Sequence, residues 1–155
     1  MNMAEGSGEA IDLEIRINAS PETVFPYLID PDRMVMWMGE SANVDPRPGG
    51  IYEVHVHGDN YAKGEYLEVT PYSRVVFTFG WDRENSEMPP GSSTVEITLT
   101  PDRDSTLLRL RHEGLPTDEM RQAHTQGWNH YMDRLAKAST GIDPGPDPMA
   151  SRGGG

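Results

Sequence analysis

His112 and His124 are the side chains best suited to chemistry near neutral pH, because imidazole is the group whose ordinary titration falls there. In TLLRLRHEG, His112 shares a strand face with Leu108 and Leu110 and is expected to point inward. There it could hydrogen-bond a ligand or act as general acid or base; the competing reading is a buried imidazole satisfied by a nearby backbone or side-chain partner. His124 falls on the inward stripe of a helix and is a candidate neighbour. With Glu68 the two could form an acid/base group, although the alternation around Glu68 leaves its face open. No nucleophile elbow or assembled triad accompanies them, so His112 stands as a catalytic candidate alone. Glu53, His55 and His57 lie two apart on one strand face, a spacing that can gather metal ligands. That face is the polar one and no further ligand follows nearby, so no metal or other cofactor is expected.

The aromatic residues carry a broader signal. Trp37, Tyr52, Tyr66, Phe77, Phe79, Trp81, Trp128 and Tyr131 exceed what a thin layer between sheet and helix needs. With His112 and His124 they are the candidate ligand-binding set, lining an apolar pocket or else filling a solid core. Met34, Met36 and Met38 could form an adaptable lip. Arg109 and Arg111 point to the opposite, solvated face. In QAHTQGWNHYMDRL, residues 122 to 135, a glycine occupies the interior of a helix at a cost of about 1 kcal/mol relative to alanine. The expected reason is packing: Gly127 lets a strand approach the helix closely.

Those side chains must be positioned by elements that the hydropathy pattern marks. IDLEIRIN alternates as a half-buried strand from residue 11. In SPETVFPYLID, Ser20 caps a helix with Pro21 at its first position, and Pro26 kinks or shortens it. Asp30 and Pro31 repeat the signal for a second short helix ending near Trp37 and Gly39. After the DPRPGG turn come IYEVHVHG, YAKGEYLEV, RVVFTFGW, STVEITLT and TLLRLRHEG, all of strand character. The loop at 82 to 93, proline-rich and polar, is either a mobile rim or slack. Thr117 caps a long last helix and Gly141 stops it, with His124, Trp128, Tyr131 and Leu135 along one side. The expected order is strand, two short helices, these strands in succession, long helix: an antiparallel α+β domain over residues 11–139, with residues 1–10 and 140–155 disordered.

Composition excludes several partners. A formal charge of −12, from 13 Lys and Arg against 25 Asp and Glu, disfavours nucleic acid and anionic membranes. The chain has no cysteine, which suits a reducing cytoplasm. MNMAEGSGEA lacks the basic and apolar regions of a signal peptide, and no run reaches the roughly 18 apolar residues of a membrane span.

SPETVFPYLIDPDRMVMWM, DPRPGGIYEV, GEYLEV before Pro71, TLLRLRHEGL and HTQGW stand in an order that resembles the START-like SRPBCC superfamily, and within it the branch of activators of the heat-shock protein 90 ATPase. The resemblance covers about residues 11 to 138. It implies a helix-grip fold, a curved antiparallel sheet of about seven strands around the C-terminal helix, with a cavity between them often used for apolar ligands. The leading expectation is a protein that binds a small apolar, aromatic or lipid-like molecule. A polyketide cyclase or hydrolase using the same cavity through His112 is the alternative; a co-chaperone-like interaction module is the third. A homodimer and a chaperone are the protein partners compatible with these readings.

Overall fold

The computed structural model describes residues 10–145 and follows the expected course with three differences. Strand β1 (Ala10–Ile17) leads into three single-turn helices, α1 (Pro21–Val24), α2 (Pro26–Ile29) and α3 (Pro31–Met34), each with proline in its first turn. Two short helices were expected; Pro26 does not merely kink the first but starts a new turn, because it cannot donate to a preceding carbonyl. The second difference is β2 (Ser41–Val44), an edge strand that hydropathy does not mark. Then come β3 (Ile51–His57), β4 (Asn60–Thr70), β5 (Arg74–Trp81), β6 (Ser93–Asp102), β7 (Ser105–Glu113) and α4 (Asp118–Ser139).

The seven strands form one antiparallel sheet in the order β1-β7-β6-β5-β4-β3-β2. Register shifts between His55 and His57 and between Tyr66 and Glu68 are the irregularities that bend it. Alternation places Val95, Ile97 and Leu99 of β6 and Leu108, Leu110 and His112 of β7 on the buried face. Opposite them, Arg109 and Arg111 pair with Asp12 in the open. Across the buried face lies α4. Thr117 accepts from Met120 N at its start, and at its end Gly141, with φ +84°, lets Gly141 N reach Ala138 O and Ile142 N reach Lys137 O.

The third difference concerns the loop at 82 to 93, neither slack nor a free rim. Met88 is fully buried, its carbonyl accepts from Trp81 N, and Pro89 crosses directly over Gly80. Any Cβ at Gly80 would collide with the Pro89 carbonyl, so close approach of the loop requires glycine there. The loop is a strap.

A second anchor holds the end of the described chain. The buried Arg134 guanidinium donates to Trp37 O at 3.0 Å, Gly145 O at 3.0 Å and Pro144 O at 3.4 Å. It ties α4 to the turn after α3 and to the segment following Gly141. Residues 1–9 and 146–155, where most of the expected disorder falls, lie outside the described residues.

Candidate functional site

The candidate ligand-binding residues separate into two groups by depth. Trp37, Tyr52, Tyr66 and Phe77 lie in a solid aromatic block. Tyr52 stacks on Phe77 with ring centroids 4.1 Å apart and meets Tyr66 edge-on at 5.8 Å, while Trp37 Nε1 donates to Tyr27 O at 2.9 Å. The gap between this block and Trp128 amounts to about 10 Å³, no room for a guest. Burial raises the Tyr52 and Tyr66 hydroxyl pKa values, and the Tyr66 Oη is buried without a partner among the described residues. These four side chains build core.

Phe79, Trp81, His124, Trp128 and Tyr131 instead line a cavity of about 260 Å³ between the β3–β5 part of the sheet and α4. Met38 and Val56 complete its apolar wall, and Asn60, Arg83, Ala123 and Gly127 its rim. Arg83 and Ala123 are exposed, which puts the opening between the strap and the outer side of α4. Met34 is buried and Met36 lies elsewhere on the surface, so of the proposed methionine lip Met38 alone borders the cavity.

Gly127 corrects the packing explanation. A Cβ built on it meets nothing within 4 Å beyond its own helix. No strand presses on the helix there; the glycine borders open space and enlarges the cavity.

The two histidines are bound into the wall by an unusual pairing with the two indoles. Trp128 Nε1 donates to His112 Nδ1 at 3.0 Å, which leaves the proton of a neutral ring on Nε2, 2.8 Å from Ser93 Oγ. Ser93 Oγ in turn donates to Phe79 O at 2.7 Å. Trp81 Nε1 donates to His124 Nε2 at 3.0 Å, and His124 Nδ1 donates to Met120 O at 2.8 Å. Each imidazole therefore has its donor and its acceptor engaged. His112, fully buried behind Trp128 and His124, does not line the cavity, and its satisfied ring matches the second of the two readings given above. Glu68 does not join the pair: it holds Arg74 at 3.0 Å and Thr70 at 2.9 Å. On the polar face of β3, His55 stacks on Tyr61 and Glu53 pairs with Lys63. Among the described residues no group of three His, Asp or Glu could hold a metal.

Burial pushes the His112 pKa down to about 3, with the nearby His124 adding to the effect. Burial lowers His124 as well; the Met120 carbonyl opposes this and the Arg83 charge reinforces it. The sign for stability follows from proton counting. An exposed imidazole takes its proton near pH 6.5, so between 6.5 and 3 the unfolded chain binds more protons than the fold. Stability is full above that window and falls as pH drops through it. For His112 the expected loss between neutral pH and pH 5 is about 2 kcal/mol. Urea unfolding of wild type and His112→Gln at both pH values checks this; equal slopes with pH would remove the assignment.

A curved antiparallel sheet gripping a C-terminal helix, with an aromatic-walled cavity along that helix, defines a helix-grip domain of the START-like SRPBCC superfamily. More narrowly, the chain belongs to the family of Activator of Hsp90 ATPase homolog 1-like proteins, which matches residues 18–140. It is similar to an AHSA1-like protein from Rhizobium etli, with 46% identity over 90% of this chain and 86% of that one and a TM-score of 0.72. The crystal structure of CalU16 from Micromonospora echinospora is 25% identical over 92% of this chain and 80% of that one, with a TM-score of 0.71. The Aha1 dimer from Colwellia psychrerythraea shares the fold at 20% identity and a TM-score of 0.72, over 89% of this chain and 98% of that one. Among curated proteins none matches the chain. No helix of the described residues is long and apolar enough to cross a membrane.

Five of the ten candidate side chains thus border the cavity together with Met38 of the expected lip, and Val56, Asn60, Arg83, Ala123 and Gly127 join them without having been chosen as contacts. Gly127 carried a signal, its energetic cost in a helix, whose meaning was inverted. Arg83 and Asn60 sit in connections, where a polar residue is the default.

Proposed function

We propose that this protein binds a small aromatic or otherwise apolar molecule in the cavity between β3–β5 and α4. The observation that carries the proposal is open space of about 260 Å³ walled by Phe79, Trp81, Trp128 and Tyr131. An apolar cavity of roughly 150 Å³ accepts benzene, whereas pockets for drug-sized ligands begin at about 300 Å³. The space therefore suits a guest of one or two rings. The wall favours such a guest because both indole N–H groups are consumed by imidazoles, so the ligand meets π faces without having to satisfy those polar atoms. Acid/base turnover at His112 is not part of the proposal, since both ring nitrogens already have partners.

The test uses Gly127. Gly127→Ala should fold and gain about 1 kcal/mol, because the methyl group enters free space and the helix loses its most permissive residue. Gly127→Leu should also fold but project into the cavity. Tryptophan emission titrated with naphthalene derivatives is expected to saturate for wild type and to weaken at least about tenfold for Gly127→Leu. No saturation with wild type, or equal affinity in the two proteins, would defeat the proposal.

A further inference from the structure

Arg83 stands at the cavity mouth as a cation that no acid neutralises among the described residues. Acids outnumber bases in this chain by 25 to 13, yet among the described residues no carboxylate forms an ion pair with Arg83. The adjacent Asp82 is taken by Lys63 at 2.7 Å. Of the five N–H donors of the Arg83 guanidinium, one goes to Asn60 Oδ1 at 2.7 Å, and that bond holds the group over the rim. The strap adds to this placement: Met88 and Pro89 fix the loop to β5, and Ser86 N donates to Arg83 O at 3.3 Å. The remaining donors form a planar fork beside an otherwise apolar space.

We infer that the cavity selects an aromatic molecule bearing a carboxylate or equivalent planar anion, with its rings against the cavity wall that Phe79 and Trp128 help to form and its charge on Arg83. The inference rests on the cavity-binding reading and adds the charge of the guest. A guanidinium is matched to a carboxylate by two parallel N–H bonds, and at the rim of a dry pocket such bonds are stronger than in open water. The side chains deeper in the wall offer an anion little competition for placement: Trp81, Trp128 and His124 have their hydrogen-bonding atoms engaged with one another and with Met120 and His112. The anion belongs at the mouth. The overall charge of −12 repels anions at long range, but screening over about 8 Å at physiological salt leaves the local guanidinium dominant at contact.

The experiment compares 2-naphthoate with its neutral isostere 2-naphthamide, by calorimetry and tryptophan quenching, on wild type, Arg83→Gln and Arg83→Lys. Wild type is expected to bind the carboxylate about ten- to a hundredfold more tightly than the amide. Arg83→Gln, which keeps an amide donor for Asn60, should abolish that preference by weakening the carboxylate far more than the amide. Arg83→Lys should restore part of it, and thermal melting of the three proteins should coincide because the side chain is exposed. Equal binding of the two probes by wild type would overturn the anion while leaving the cavity reading intact. A preference that survives Arg83→Gln would overturn the role of Arg83. Failure of both probes to bind would strike the cavity reading itself.

Discussion

Trp128→Ala is expected to destabilise the domain by about 3–5 kcal/mol, the range for removing a buried aromatic side chain. Two effects combine. The indole is buried between the solid block and the cavity, so its loss merges the small gap beside Tyr52 with the larger space beside Phe79. It also leaves His112 Nδ1, deep in the interior, without its donor. Trp128→Phe separates the effects: it keeps most of the volume and should cost about 1–3 kcal/mol, chiefly the unpaired imidazole. Denaturant titration of both variants reads the difference. If the two were equally destabilised, the hydrogen bond rather than the volume would dominate, and if neither lost stability the position of the indole would be wrong.

Gly80→Ala is the second large effect, and here a single methyl group is enough. Its Cβ would collide with the backbone carbonyl of Pro89, which no rotamer change can relieve. Either the strap lifts and exposes Met88, or β5 bends away from β4. Overpacking of this kind costs about 1–3 kcal/mol and occasionally more; the backbone obstacle places this case at the upper end. Arg83 rides on the same strap, so the variant should also lose a ligand contact at the mouth. Gly127→Ala is the matched control, since the identical change at an open position should stabilise. Melting temperatures moving in opposite directions check the pair, and parallel movement would contradict the strap.

Much of the architecture was legible in the sequence because strict alternation reports which face of a strand is buried. It placed Leu108, Leu110 and His112 on the inner face and Arg109 and Arg111 on the outer one, and Thr117 and Gly141 marked the limits of the long helix. The edge strand Ser41–Val44 was not legible because SANV has neither length nor strong apolar residues; its pairing with Tyr52 to His55 creates it. At the candidate site, alternation has a specific blind spot. It distinguishes inside from outside but not one end of a curved sheet from the other. Phe77 and Phe79 have the same type and face, yet one belongs to solid core and the other borders a cavity. Arg134 escaped notice for a related reason: backbone carbonyls of Trp37 and of the segment after the helix satisfy its guanidinium, and neither pairing is visible in local sequence.

The unequal filling of the grip divides responsibilities along the molecule. Tyr52, Tyr66, Phe77 and Trp37 serve as ballast at one end, while Phe79, Ala123, Gly127 and Arg83 frame the vacant end. Mutational drift can then alter the rim residues, and with them the chemistry of the guest, without eroding the ballast that keeps the chain folded.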